Sequence, residues 1–305
     1  MRILDRMVVL PSLTVDHEGR QLNVWLSGAE AGPVLLYQPG TPAPPVRWES
    51  LERLASELGL RLASYARPGY SGSTRDEGRS VADAASDVGA VMDTLGVQTF
   101  TTFGHSGGGP HALACAALLP DRCVAAATLA SVAPYDLYEG DWSAGMADAN
   151  VEEFEWVIGG PDGLEAYLSS QLEGMAGVNG IDVDQTLGDL ISQVDREELT
   201  GDIAEVIASW FRQTAVDGLH GWLDDDLAFI KPWGFRLDSI STHVTLWHGL
   251  QDRMVPLEHG RWLADNIPKA GQRFFDDEGH ISMMTRGLRR IITELLDQST
   301  TQISG

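Results

Sequence analysis

Hydrophobic and polar positions along this chain follow first one period and then two in alternation. Two apolar, β-rich runs, MVVLPSLTV (7–15) and QLNVWLSG (21–28), flank the polar DHEGR (16–20), which predicts a hairpin. From residue 34 the pattern changes. VLLYQ (34–38) is a short continuous apolar run of the kind buried on both faces of a parallel sheet. RWESLERLASELG (47–59) follows, with Leu51, Leu54, Ala55 and Leu58 at helical spacing. The rhythm continues through a strand RLASY (61–65), a Gly/Ser-rich loop ARPGYSGST (66–74) and a helix with Val81, Ala84, Ala85, Val88, Met92 and Leu95 on one face. A strand TFTTFGH (99–105), an alanine- and leucine-rich helix to Leu119 and a strand CVAAATLAS (123–131) complete this half.

Beyond Asp136 the rhythm stops, and residues 137–237 read as helix-like segments broken by GGPDG and GVNG. It resumes with a strand HVTLWHG (243–249), a helix around 257–267, a strand QRFFDD (272–277) and a final amphipathic helix bearing Ile291, Ile292, Leu295 and Leu296. An alternating frame interrupted once and then completed predicts one α/β domain, 1–136 plus 238–305, with a helical lid inserted at 137–237.

Composition narrows the class. At 305 residues and 43% hydrophobic content the chain can bury a large core. No apolar run approaches the roughly 18 to 20 residues needed to span a bilayer. Asp5 and Arg6 interrupt the opening where a signal peptide needs an apolar core, so a cytoplasmic location is expected. Cys115 and Cys123 lie in apolar surroundings that suit buried, reduced thiols. A formal charge of −23 argues against nucleic acid as a partner, because phosphates need clustered Lys and Arg. Residues 137–237 hold 21 of the 44 acidic side chains and 4 of the 21 basic ones. Solvated acidic helix faces account for this excess, and a field attracting cationic substrates is the alternative. Homo-oligomerisation is left open.

Candidate chemistry centres on FGHSGGGPHALACAALL (103–119), where a strand meets Gly-x-Ser-x-Gly and a helix. Gly104 and Gly108 remove side chains that would clash in a turn tight enough to project the Ser106 hydroxyl. The helix behind it favours negative charge, and the Gly107 N–H is placed to donate to an oxyanion. A serine needs a base, and the base a third group that holds its tautomer. His280, in FFDDEGHIS, is expected in the loop past the last strand, at the same carboxyl edge as Ser106. Asp252, in GLQDRMVP after the strand 243–249, is the preferred acid, with Asp136 as competitor and Asp276, Asp277 and Glu278 as a solvated turn. His105 is expected beside the elbow, and His111, His248 and His259 in structural roles.

GHSGG, HGLQDRMVP and EGH, in this order on this frame, resemble the α/β-hydrolase superfamily over nearly the whole chain. The resemblance implies a mostly parallel eight-stranded sheet with helices on both faces and an inserted helical cap. It also implies a Ser-His-acid triad of Ser106, His280 and Asp252, working on a small-molecule substrate without a cofactor or metal. YQPGTPAPP (37–45) matches the family's oxyanion loop at Gly40, Thr41 and Pro42, with Pro39 where a histidine is common, so Thr41 is the implied second backbone donor. In ARPGYSGST, Ala66 stands where the family usually has an acidic residue. A serine nucleophile argues against the dehalogenase and epoxide hydrolase branches, which use aspartate there.

The expected activity is hydrolysis of a small or medium, largely apolar carboxylic ester. Alternatives are an aminopeptidase of the prolyl iminopeptidase kind, if cap carboxylates point inward, carbon–carbon bond hydrolysis, or a non-catalytic ligand receptor on the same fold. Trp142, Trp156, Trp210 and Trp222, with Phe211, Phe229 and Trp233, are candidate pocket aromatics, although most are expected to form the cap's own core.

Overall fold

The structure is a computed structural model that describes residues 11–303, with the side chains of 11–299. Met7–Leu10 of the first apolar run lie outside the described residues. β1 (Leu13–His17) and β2 (Arg20–Gly28) form the predicted hairpin. Its turn is shorter than DHEGR suggests, because Asp16, His17 and Arg20 pair in the ladder. Glu18 and Gly19 alone make the turn, both at positive φ (51° and 78°), as two-residue hairpins require.

β3 (Val34–Gln38), α1 (Glu49–Glu57), β4 (Arg61–Tyr65), α2 (Asp83–Thr94), β5 (Phe100–His105), α3 (Gly108–Leu118) and β6 (Cys123–Leu129) alternate as the hydrophobic pattern predicts. The chain then runs through α4 (Asp148–Gly159), α5 (Pro161–Met175), α6 (Val183–Leu187), α7 (Gln193–Glu198), α8 (Gly201–Asp217) and α9 (His220–Phe229). It returns with β7 (His243–Gly249), α10 (Leu257–Asn266), β8 (Gly271–Phe275), α11 (His280–Arg286) and α12 (Leu288–Ile303).

The eight strands form one sheet in the order β1-β2-β4-β3-β5-β6-β7-β8. β2 runs antiparallel to both of its neighbours, and the remaining pairs are parallel. Alternate residues of β3 face two different cores. Val34 and Leu36 pack with Val88 and Met92 of α2 and Leu113 of α3, whereas Leu35 packs with Leu51 of α1 and Ile291 of α12. Cys115 and Cys123 are buried free thiols, as expected. No helix among the described residues is long and apolar enough to cross a membrane.

The helices between β6 and β7 have only a small core of their own, around Val157, Leu164, Leu168, Trp222 and Leu223. They rest on the sheet domain through Ala228 and Phe229 of α9 on one side and Ile203, Val206 and Ile207 of α8 on the other. They therefore lie across the carboxyl ends of the central strands, where α/β sheets place their ligands.

Candidate active site

The turn after β5 is a sharp one. Ser106 sits at φ +53°, and its N–H donates to the Leu129 carbonyl at the end of β6. A Cβ on Gly104 would lie 2.1 Å from the Gly108 carbonyl oxygen, and one on Gly108 would lie 2.1 Å from that of Gln38. Only glycine fits either side of this serine, which is left half-buried at the start of α3. Gly107 precedes the helix, where backbone N–H groups lack intrahelical partners. Thr41 stands against it, since a Cβ on Gly107 would come within 2.5 Å of Thr41 Oγ1.

His280 is the first residue of α11, not a loop residue as the sequence suggested. Its helix start is held from a distance: Asp195 of α7 accepts the N–H groups of His280, Ile281 and Ser282 at 3.2, 2.8 and 2.9 Å. Gly279 is required there, because a Cβ would meet the Asp195 carboxylate at 2.4 Å. His280 Nδ1 lies 2.8 Å from Asp252 Oδ2, while Asp252 Oδ1 accepts the N–H groups of Met254 and Val255. A carboxylate can only accept, so Nδ1 carries the proton and Nε2 keeps a free lone pair. Burial alone would raise the Asp252 carboxyl, but His280, its hydrogen bond and His248 hold it below its ordinary value. Burial would likewise lower His280, yet Asp252 outweighs it and raises the imidazole above its ordinary value. Asp136, Asp276 and Asp277 are exposed, and Glu278 lies 3.6 Å from Arg286.

The other histidines are structural. His105 Nε2 meets the His280 carbonyl at 3.2 Å, and burial followed by His280 pushes it down to about 3. His248 and His259 bond the carbonyls of Val255 and Trp142, and His111 lies 3.5 Å from Asp225.

The loop after β3, expected from the sequence to supply an oxyanion donor, is clamped by residues to which the sequence gave no role. Arg67 donates to the carbonyls of Pro39 and Gly40, each at 2.7 Å, and pairs with Asp225 of α9 at 2.6 Å. Asp225 also accepts from Thr41 Oγ1 at 2.7 Å, from Tyr70 at 3.0 Å and from Arg79 at 2.6 Å. Burial would raise this carboxyl, but Arg67 and Arg79 hold it well below the usual range. Arg67, next to Ala66, thus takes its acidic partner from the inserted helices. Most acidic side chains of 137–237 are on solvated faces as expected, thirteen of the 21 being exposed, but Asp195, Asp224, Asp225 and Asp226 depart from that reading and are buried. Three arginines in 67–79 opposite three consecutive aspartates were the available signal.

Ser106, Gly107, Thr41 and His280 line one cavity of about 410 Å³. Of the four candidate tryptophans, Trp210 and Trp222 line it, with Phe154, Tyr167, Phe211 and Phe229. Trp142 does not, since its indole N–H donates to the Ala133 carbonyl and its ring packs on His259 and Phe154. Trp156 is 44% exposed, on the outer side against Tyr167. Glu153 and Asp226 also line the cavity.

A family model described as alpha/beta hydrolase fold matches residues 33–164. The bifunctional esterase/perhydrolase DCH of Acinetobacter calcoaceticus is 26% identical over 244 residues, covering 76% of this chain and 78% of that protein. Among solved structures, a bromoperoxidase from Bacillus anthracis superposes with a TM-score of 0.69 at 22% identity, over 93% of this chain and 99% of that one. A thermophilic esterase from Thermogutta terrifontis gives 0.65 at 18% identity, over 94% and 98%. Strand order, the turn after β5 and these likenesses agree on an α/β-hydrolase fold.

Proposed function

We propose that this protein is a serine hydrolase that cleaves a carboxylic ester with a small or medium, largely apolar body through an acyl-enzyme. The observation that carries the reading is the oriented His280–Asp252 pair, which opens on the same cavity as Ser106 and the Gly107–Thr41 corner. Ser106 Oγ attacks the ester carbonyl while His280 Nε2 takes its proton. The backbone N–H groups of Gly107 and Thr41 receive the developing oxyanion, each such donor contributing on the order of 10²-fold in rate. His280 returns the proton to the departing alcohol, and a water activated in the same way releases the acid. The substrate size follows from the cavity volume and its aromatic lining. The inserted helices, 137–237, act as the cap over a core of 1–136 and 238–305. An esterase activity in the A. calcoaceticus relative supports the choice of bond.

Turnover of p-nitrophenyl esters of graded chain length, beside amino-acid and prolyl p-nitroanilides, tests this. Replacing Ser106 by Ala is expected to lower ester kcat by roughly 10⁴-fold or more while the fold persists. Ester turnover surviving in Ser106→Ala would overturn the nucleophile. Anilide turnover without ester turnover would replace the ester reading by an aminopeptidase.

A further inference from the structure

α9 carries three consecutive aspartates, and the protein's own arginines answer two of them. Asp224 pairs with Arg75 at 2.8 Å, and Asp225 with Arg67 and Arg79. The third is left without such a partner. Asp226 is 2% exposed, lines the cavity that holds Ser106, and its Oδ2 has no N–H or hydroxyl donor among the described residues. The group that meets it is another carboxyl, Glu153 of α4, on the same cavity wall. Glu153 Oε1 accepts the indole N–H of Trp222 at 2.8 Å.

Two carboxyls this close, shielded from water, cannot both ionise freely. Burial first, and then Glu153 and Asp225, push Asp226 well above the usual carboxylate range, and burial raises Glu153 as well. The pair therefore shares a proton and leaves about one negative charge on the cavity wall. A buried acid without a cation costs stability that an apolar side chain would not. Its surroundings suit a positive charge. Trp222, Tyr167 and Phe154 stand on the same wall, and aromatic faces attract cations. The position suits a substrate bound at Ser106. Phe229, whose ring approaches to 3.0 Å of a Cβ built on Gly107, lies one helical turn after Asp226, about 4.5 Å along the axis.

We propose that Glu153 and Asp226 form a subsite for a protonated amine, so that the substrate carries an ammonium group a short apolar spacer away from its scissile carbonyl. The carbonyl end of this statement rests on the serine-hydrolase reading, and the amine end does not.

The first test needs no turnover. Binding of hexylammonium, 1-hexanol and hexanoate to the wild-type protein is measured by calorimetry at matched pH and ionic strength. Hexylammonium is expected to bind at least about 10-fold more tightly than hexanol, a difference of about 1.4 kcal/mol. The double variant Glu153→Gln, Asp226→Asn is expected to lose that preference and keep its affinity for hexanol. Equal binding of amine and alcohol by the wild type would overturn the subsite, whether or not the variant folds. A preference that survives in the folded double variant would also overturn it. In parallel, kcat/KM for the p-nitrophenyl ester of 6-aminohexanoate is expected to exceed that for heptanoate by a similar factor in the wild type only. If Ser106→Ala still turns both esters over while the amine still binds, the serine mechanism falls and the subsite stands.

Discussion

Asp225 and Asp226 are consecutive on one helix and equally hidden from solvent, yet their surroundings drive them in opposite directions. Successive helical residues point about 100° apart, so the two carboxyls face different parts of the molecule. Asp225 faces the loop after β4, where two guanidiniums, a phenol and the Thr41 hydroxyl converge, and it is held ionised. Asp226 faces the cavity, where its neighbour is another acid, and it is held protonated. Burial is common to both and decides neither. What decides is whether the fold itself supplies the counter-charge. Where it does, the carboxylate fastens an inserted helix to the loop beside the serine; where it does not, the charge faces the space a ligand would fill.

Removing each acid should separate the two cases by sign. Asp225→Ala strands Arg67 and Arg79 in the interior and is expected to lower unfolding stability by about 3–5 kcal/mol, read from urea titration. Because the Asp225 carboxyl is depressed in the folded state, the stability it confers is present above the unfolded value of about 3.9 and is lost as pH falls through the depressed one. The deficit of Asp225→Ala should therefore shrink in acid. A loss below about 1 kcal/mol at pH 7 would show that the clamp contributes little. Asp226→Asn should act the other way. The raised carboxyl keeps a proton that the unfolded chain releases above about pH 4, so wild-type stability falls as pH rises from there. The groups acting on it are Glu153 of α4 and, more distantly, Asp225 and Arg79. Asn has no proton to lose, and the variant should be about 1 kcal/mol more stable than wild type at pH 8, with the gain absent at pH 4. Destabilisation at both pH values would make the pair a structural hydrogen bond.

How much of this was legible in the sequence depends on the range of the interaction. β7 falls on the predicted 243–249 because strands buried on both faces read as unbroken apolar runs. The turn at Ser106 was readable because its glycines answer clashes within a few residues and a neighbouring strand. α11 was missed because Asp195, 85 residues away, accepts the N–H groups of His280, Ile281 and Ser282, and the local signal is only Ser282 Oγ, which accepts the Gly279 N–H. The aspartates of α9 looked solvated for the same reason: their arginines stand about 150 positions earlier in the chain. Trp142 and Trp156 carry the residue type a pocket needs, but Trp142 lies in a turn with its indole N–H on the Ala133 carbonyl and Trp156 is exposed on α4, placements that composition does not encode.

Asp225 reaches the proposed oxyanion donor both through Arg67 and directly through the Thr41 hydroxyl, and the smallest predicted effect tests the hydroxyl. Thr41 Oγ1 donates to Asp225 Oδ2 at 2.7 Å, while the Thr41 N–H is the second oxyanion donor in the proposed mechanism. Thr41→Val keeps the branched shape and the backbone N–H but removes the hydroxyl. Asp225 retains Arg67, Arg79 and Tyr70, so the stability loss should be about 1 kcal/mol. If the hydroxyl positions the loop, ester kcat should fall about 10-fold with KM little changed, because a misplaced donor is felt mainly in the transition state. Thr41→Ser, which restores the donor, should recover most of that kcat. A Thr41→Val variant with wild-type kcat would instead mean that Arg67, through the Pro39 and Gly40 carbonyls, holds the loop alone.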